Sequence, residues 1–214
     1  MQKENSIHIH IMESDPSLRA IAHEVREIAK ETISKVARML PLKECDIVIA
    51  HDPENTIPET GAGGFSPHPH LISIYLDAHS PQFLEKMTET LARTLTHEMH
   101  HASRSIVFPW KNPSLLESFI TEGLADHFDL EVNGGEPYPW SIALDEEKIL
   151  SFIEEAKSLD WTKPGGDYHA WNFSKRYPKW AGYSIGFYLV KKYKEKTGKS
   201  AAELVHAPAE EFVL

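Results

Sequence analysis

The feature that most constrains this chain is the stretch TLTHEMHHASR, residues 94–104, which holds His97, Glu98 and His101 in an H-E-x-x-H arrangement. On a helix, residues four apart lie on one face, one turn above the other. Two imidazoles placed in this way can grip one metal ion from the same side. Glu98 sits one step round the helix, close enough to act on a water at that metal. The five-letter pattern is weak by itself, because 13 of the 214 residues are histidine and acidic residues are plentiful. A solvated helix could carry the same letters. The pattern gains weight if the helix is real, if the site is partly buried, and if a third ligand arrives from elsewhere.

The length suits one domain, or a domain with a subdomain, and an apolar fraction of 41% is enough for a proper core. A net charge of −10 argues against nucleic acid and anionic membrane as partners. The single cysteine, Cys45, rules out an internal disulfide and reads as an inert thiol flanking a strand. The N-terminus has no apolar signal-peptide core, and no window is long and apolar enough to span a membrane. The expectation is a cytoplasmic protein, with its oligomeric state open.

In chain order, SIHIHIM (6–12) alternates as a half-buried strand, with His8 and His10 on its polar side. Asp15 and Pro16 then start a helix expected to run to about Leu40, with a stripe through Leu18, Ile21, Val25, Ile28, Ile33, Val36 and Leu40. DIVIAH (46–51) is a second strand. Residues 52–70 form a long polar connection whose length suggests a functional loop, and its His68 and His70 read as exposed. HLISIYLD (70–77) is a third strand, directly before a motif helix expected to begin near Pro81. That helix has Leu84, Met87, Leu91, Leu95 and Ala102 on its apolar stripe, and Glu85, Glu89, Arg93 and Thr96 on its far side. His97 and His101 fall at the stripe's margin. His100 points away from the pair and is assigned a supporting or surface role.

A second helix, capped by Asn112 or Ser114, runs to about Leu130. Two of its carboxylates compete for the metal. Glu117 has a local explanation, because Ser114-Leu-Leu-Glu117 fits a capping box. Glu122 has none. It is mid-helix and precedes Gly123, where glycine is costly unless another backbone must come close. Asp126 lies four residues on, on the same face, and could orient His97, since a metal-bound imidazole needs its other nitrogen held. His127 reads as packing or surface. The last third reads as helical: an amphipathic segment at 145–159, an aromatic loop at 160–178, a strong helix closed by Gly198, and a short helix from Ser200. The five tryptophans, all at or beyond Trp110, either line a groove or form aromatic core.

The segments GAGGF (61–65), ISIYLD (72–77), HEMHH (97–101), EGLAD (122–126) and AGYSIG (181–186) occur in an order that resembles the gluzincin branch of zinc metallopeptidases. Within it they resemble the predicted bacterial zinc proteases of the YjaZ-like kind. The resemblance covers roughly residues 45–210, and 20 residues separate His101 from Glu122. It implies an α+β, zincin-like fold with a small mixed sheet, a backing helix and an HExxH helix. A mostly helical C-terminal subdomain follows, with the boundary drawn at 1–106 and 107–214. It also implies one catalytic Zn2+ but no defined substrate; the motif chemistry sets the expectation of a peptide or protein substrate.

The expected chemistry is peptide hydrolysis by a zinc-activated water. His97, His101 and Glu122 hold the metal, with a fourth position left for water. Glu98 is the general base, and a further donor faces the oxyanion. Tyr183, in the AGYSIG segment, is preferred for that donor, with Tyr168 and His169 as rivals. The strand before the motif helix is expected to have a free edge, so that an extended substrate pairs along Ile72, Ser73, Ile74 and Tyr75. Two alternatives remain: a zinc-containing but non-catalytic peptide-binding module, and a peptidase held latent by loop 52–70 or by the C-terminal tail. A deformylase-like site using Cys45 would lack that family's cysteine context and would leave Glu122 idle.

Overall fold

The computed structural model describes residues 6–213 as an α+β protein with a four-stranded mixed sheet and seven α-helices. The chain forms two compact units, residues 1–109 and 110–214. In the first, β1 (Ser6–Ile11), β2 (Glu44–His51), β3 (Ala62–His68) and β4 (Leu71–Leu76) lie in the order β1-β2-β4-β3. The pairs β1–β2 and β2–β4 are parallel, and β3 runs antiparallel to β4 at the sheet's edge. Strand alternation sends Ile47 and Ile49 of β2 and Ile72, Ile74 and Leu76 of β4 into the core. The helix α1 (Pro16–Val36) packs on β1, β2 and the motif helix. Asp15 caps it, accepting from the Ser17 and Leu18 N–H groups, with Pro16 at its first position. It ends at Val36 rather than Leu40, and Leu40 is buried after a turn.

Two expectations for this unit need correction. Residues 52–70 are not an open loop. A 3-10 turn at Pro53–Asn55 leads into β3, which Gly63, Gly64 and Pro67 had disguised because these residues depress strand propensity. In consequence β4 has no free edge, being paired with β2 on one side and β3 on the other. Ile72, Ser73, Ile74 and Tyr75 therefore cannot pair an incoming strand, and the basis for that assignment falls.

The motif helix also begins later than expected. A short α2 (Pro81–Glu85) breaks at Lys86, and α3 (Met87–Arg104) follows. Leu84 falls in α2 and is exposed, whereas Arg93 and Thr96 are buried rather than on a solvent face. Burial extends round most of α3, which packs on α1, β3 and β4.

The second unit contains α4 (Leu115–Asn133), α5 (Glu146–Ser158), α6 (Tyr168–Phe173) and α7 (Ala181–Thr197). The Ser114 hydroxyl caps α4 by accepting the Glu117 N–H at 3.0 Å, and the Glu117 carboxylate accepts from Thr121. Gly198, at a φ of 71°, closes α7. The segment read as an aromatic loop contains α6, started by Asp167. The helix expected from Ser200 is instead a series of turns followed by a 3-10 helix at Ala209–Phe212. Trp140, Trp161 and Trp171 are buried, so the tryptophans serve mainly as core.

The pairing of α4 with α7 explains the glycine in EGLAD. A Cβ at Gly123 would lie 2.3 Å from the Gly186 carbonyl group, and one at Gly186 would lie 1.9 Å from the Phe119 carbonyl oxygen. Two backbones cross here at a separation that only glycine permits. Among the described residues no helix is long and apolar enough to cross a membrane.

Candidate metal centre

The α3 helix brings His97, Glu98 and His101 together. One ring nitrogen from each histidine and one Glu98 carboxylate oxygen all lie within 4.8 Å of one another. The two rings meet edge to face with centroids 4.5 Å apart. Both histidines are partly exposed, while Glu98 is buried. His100, on the far side of the pair, is fully buried and is not a surface residue.

The position of Glu98 is set by the edge strand. Gly64 and Ser66 stand two apart on β3, on the face that meets α3. Ser66 Oγ donates its single proton between two acceptors on Glu98, the carboxylate Oε2 at 2.8 Å and the backbone carbonyl at 2.9 Å. Gly64 leaves room for the carboxyl group itself. A Cβ there would stand 2.4 Å from Glu98 Cγ and 2.7 Å from Cδ and Oε1. Sequence reasoning missed both residues, although paired glycines inside a strand are a recognised sign of close approach.

The donor set fits zinc. Two imidazoles converge from one helical turn, and the neighbouring carboxylate is anchored to a serine in a pocket that a side chain at 64 would fill. The other candidate residues belong to the second unit. Glu122 is buried in mid-α4. Asp126 is buried with it, its Oδ2 accepting from Ser141 Oγ at 2.6 Å and its Oδ1 from Trp140 Nε1 at 3.4 Å. Tyr183 lies on the first turn of α7, its N–H donating to Asn172 Oδ1 at 3.2 Å. Its ring is 5.9 Å from that of Tyr168.

Tyr168 is half-buried as a residue, but its hydroxyl is inaccessible to solvent. Burial first, then the charge of Glu122 and the neighbouring Tyr183, hold its pKa well above the usual phenol range, with a smaller effect from Asp126. His169 is exposed, with its ring against Phe173. His127 is buried and stacked on Phe187 with ring centroids 4.0 Å apart, and its Nε2 donates to the Phe187 carbonyl. Burial, and then Lys194, push its pKa down to about 4. Burial and the adjacent Asp46 push the Cys45 thiol up to about 12, leaving it unreactive.

An α+β protein whose HExxH helix packs on the edge strand of a mixed sheet, with Glu98 anchored to that strand, brings together side chains that could hold a metal ion. The chain belongs to the family described as predicted Zn-dependent protease (DUF2268), whose model matches residues 25–214. It is 31% identical over 130 residues to the uncharacterized protein YjaZ of Bacillus subtilis (strain 168), across 58% of this chain and 50% of that one. The match thus spans about half the length of that curated relative. No solved structure matches the chain.

Proposed function

We propose that this chain is a zinc-dependent peptidase of zincin-like, gluzincin type, hydrolysing peptide bonds with Glu98 as general base. The observation that carries the proposal is the seating of Glu98. A carboxylate beside two convergent imidazoles is bonded to Ser66 and given room by Gly64, so it is held in one orientation. A carboxylate held by its own hydrogen bond beside two imidazoles suits a base acting on a metal-bound water. His97 and His101, with Glu122 as third ligand, would hold the ion, and Asp126 is assigned to orient His97. Zinc in such a site supplies Lewis acidity that brings a water's pKa to about 7.

The remaining work falls to the chain's own groups. Glu98 accepts a proton from the attacking water and delivers it to the leaving amine. Ser66 keeps the carboxylate in place between the two transfers. Tyr183 is assigned to donate to the oxyanion. The outer edge of β3, rather than that of β4, is the place for an extended peptide to add by backbone hydrogen bonds. Phe65, 52% exposed on that strand, is available to a substrate side chain.

The test is Glu98→Gln in the zinc-loaded protein, assayed on an unfolded protein substrate. Zinc content should match the parent while turnover is almost abolished. Parent-level hydrolysis by this variant would refute the mechanism, and zinc without turnover in the parent itself would favour the non-catalytic binding module.

A further inference from the structure

Strand β3 carries two adjacent glycines, and neighbouring residues of a strand face opposite ways. Gly64 faces α3 and leaves room for Glu98. Gly63 faces away from α3 and is just as crowded. A Cβ there would stand 2.3 Å from the Asn55 carbonyl oxygen and 3.3 Å from Thr56 Cα. The turn at Pro53–Asn55 therefore lies against the back of β3, at the residue next to the one that makes room for Glu98. Little else stiffens this strand. It lies at the sheet's edge with β4 as its neighbour, and glycine gives it no side chain to pack at 63 or 64. The turn, by contrast, is tied at both ends. Asp52 N–H donates to the Leu76 carbonyl of β4 at 3.1 Å, and Ile57 N–H donates to the Ala62 carbonyl of β3 at 3.0 Å. Between these ties Pro53 fixes one φ, and Asn55 N–H donates to the Asp52 carbonyl at 3.2 Å. The side chains close the same turn, Asn55 Nδ2 donating to Asp52 Oδ2 at 2.8 Å and Thr56 Oγ1 to the Pro53 carbonyl at 2.9 Å.

We propose that Asn55 is a positioning residue for Glu98: stapled to Asp52, it sets its carbonyl behind Gly63 and keeps β3 pressed toward α3. This rests on Glu98 being the base, as assigned above. The Ser66 Oγ to Glu98 Oε2 bond is 2.8 Å long. A retreat of β3 by about half an ångström would stretch it beyond the usual O–H···O range of roughly 2.5–3.0 Å. The two glycines thus have paired tasks. Gly64 lets the carboxylate come close, and Gly63 lets the turn come close enough to hold the strand behind it.

The experiment compares Asn55→Asp and the double variant Asp52→Asn/Asn55→Asp with the parent, in the full chain. The single variant sets two carboxylates against each other where the 2.8 Å bond was, and the double variant restores an amide facing a carboxylate. Amide hydrogen exchange is followed by mass spectrometry in peptides covering 52–57 and 61–68, with and without zinc. Zinc affinity, kcat and KM are measured on the zinc-loaded protein with an unfolded protein substrate. Asn55→Asp should speed exchange in both segments and lower kcat about tenfold, with KM and zinc affinity close to the parent's, and the double variant should reverse both effects. Faster exchange in 52–57 alone, or in neither segment, would overturn the proposal, because β3 would then not lean on the turn or the turn would not depend on Asn55. Faster exchange in both segments with parent-like kcat would overturn it too, as would a loss of kcat that the double variant fails to restore. Turnover that Glu98→Gln abolishes and Asn55→Asp leaves intact would sink the role of Asn55 alone. A zinc-loaded parent without turnover would sink the peptidase reading, and the role of Asn55 in catalysis with it.

Discussion

Gly64→Ala isolates the seating of Glu98 from everything else in the protein. Gly64 is within β3 and lacks a positive φ, so alanine meets no backbone strain there. The added Cβ would lie 2.4 Å from Glu98 Cγ and 2.7 Å from its carboxyl carbon and Oε1. Carbon atoms in contact normally stand about 3.5–4.0 Å apart, so the side chain must shift by more than an ångström. That movement breaks the 2.8 Å bond from Ser66, which as a bond to a charged group contributes about 1.5–3 kcal/mol. A misplacement of about 1 Å in a catalytic group can cost roughly 100-fold in rate. Here the displaced group is the proposed base itself, so kcat/KM should fall at least about 100-fold. The three atoms nearest the added methyl all belong to Glu98, so zinc affinity should stay within a few-fold of the parent. Initial rates on an unfolded protein, together with zinc titration, decide the matter. Parent-like turnover at parent-like zinc occupancy would mean that the contact between β3 and Glu98 does not shape catalysis.

Ser66→Ala should keep zinc and lower kcat about tenfold or more with little change in KM, because it loosens Glu98 without moving it; an unchanged kcat would remove Ser66 from the mechanism. Gly186→Ala would put a Cβ 1.9 Å from the Phe119 carbonyl oxygen, and it should cost about 3 kcal/mol or more in urea unfolding despite alanine's helix propensity. Gly134→Ala, at φ 70° and ψ −154°, a backbone region essentially reserved for glycine, should cost about 1–3 kcal/mol although no atom crowds the new Cβ. Stability should also depend on pH through His127, whose pKa falls from 6.5 to about 4 on folding. Between those values the unfolded chain binds the extra proton, so the contribution is full above pH 6.5 and is lost as pH falls toward 4. At 1.36 kcal/mol per unit this amounts to roughly 3 kcal/mol, and His127→Gln should flatten the acid limb of a pH–Tm profile.

What the sequence disclosed and what it concealed have one physical cause. Periodic apolar residues announce themselves, so α1, β2, β4, α4 and α7 were readable, and the cost of Gly123 in mid-helix pointed to the close backbone that Gly186 supplies. The convergence of His97, Glu98 and His101 follows from helical geometry alone. β3 was hidden because the residues that suit it to its task are poor strand formers. Gly64 is there so that a carboxylate can lie against the backbone, Ser66 so that the carboxylate has a donor, and Pro67 withholds an N–H on an edge strand. Local preference and site geometry pull in opposite directions at these positions, and geometry prevails. Residues that contradict local rules on strand β3 are therefore better guides to the chemistry here than the regular elements around them.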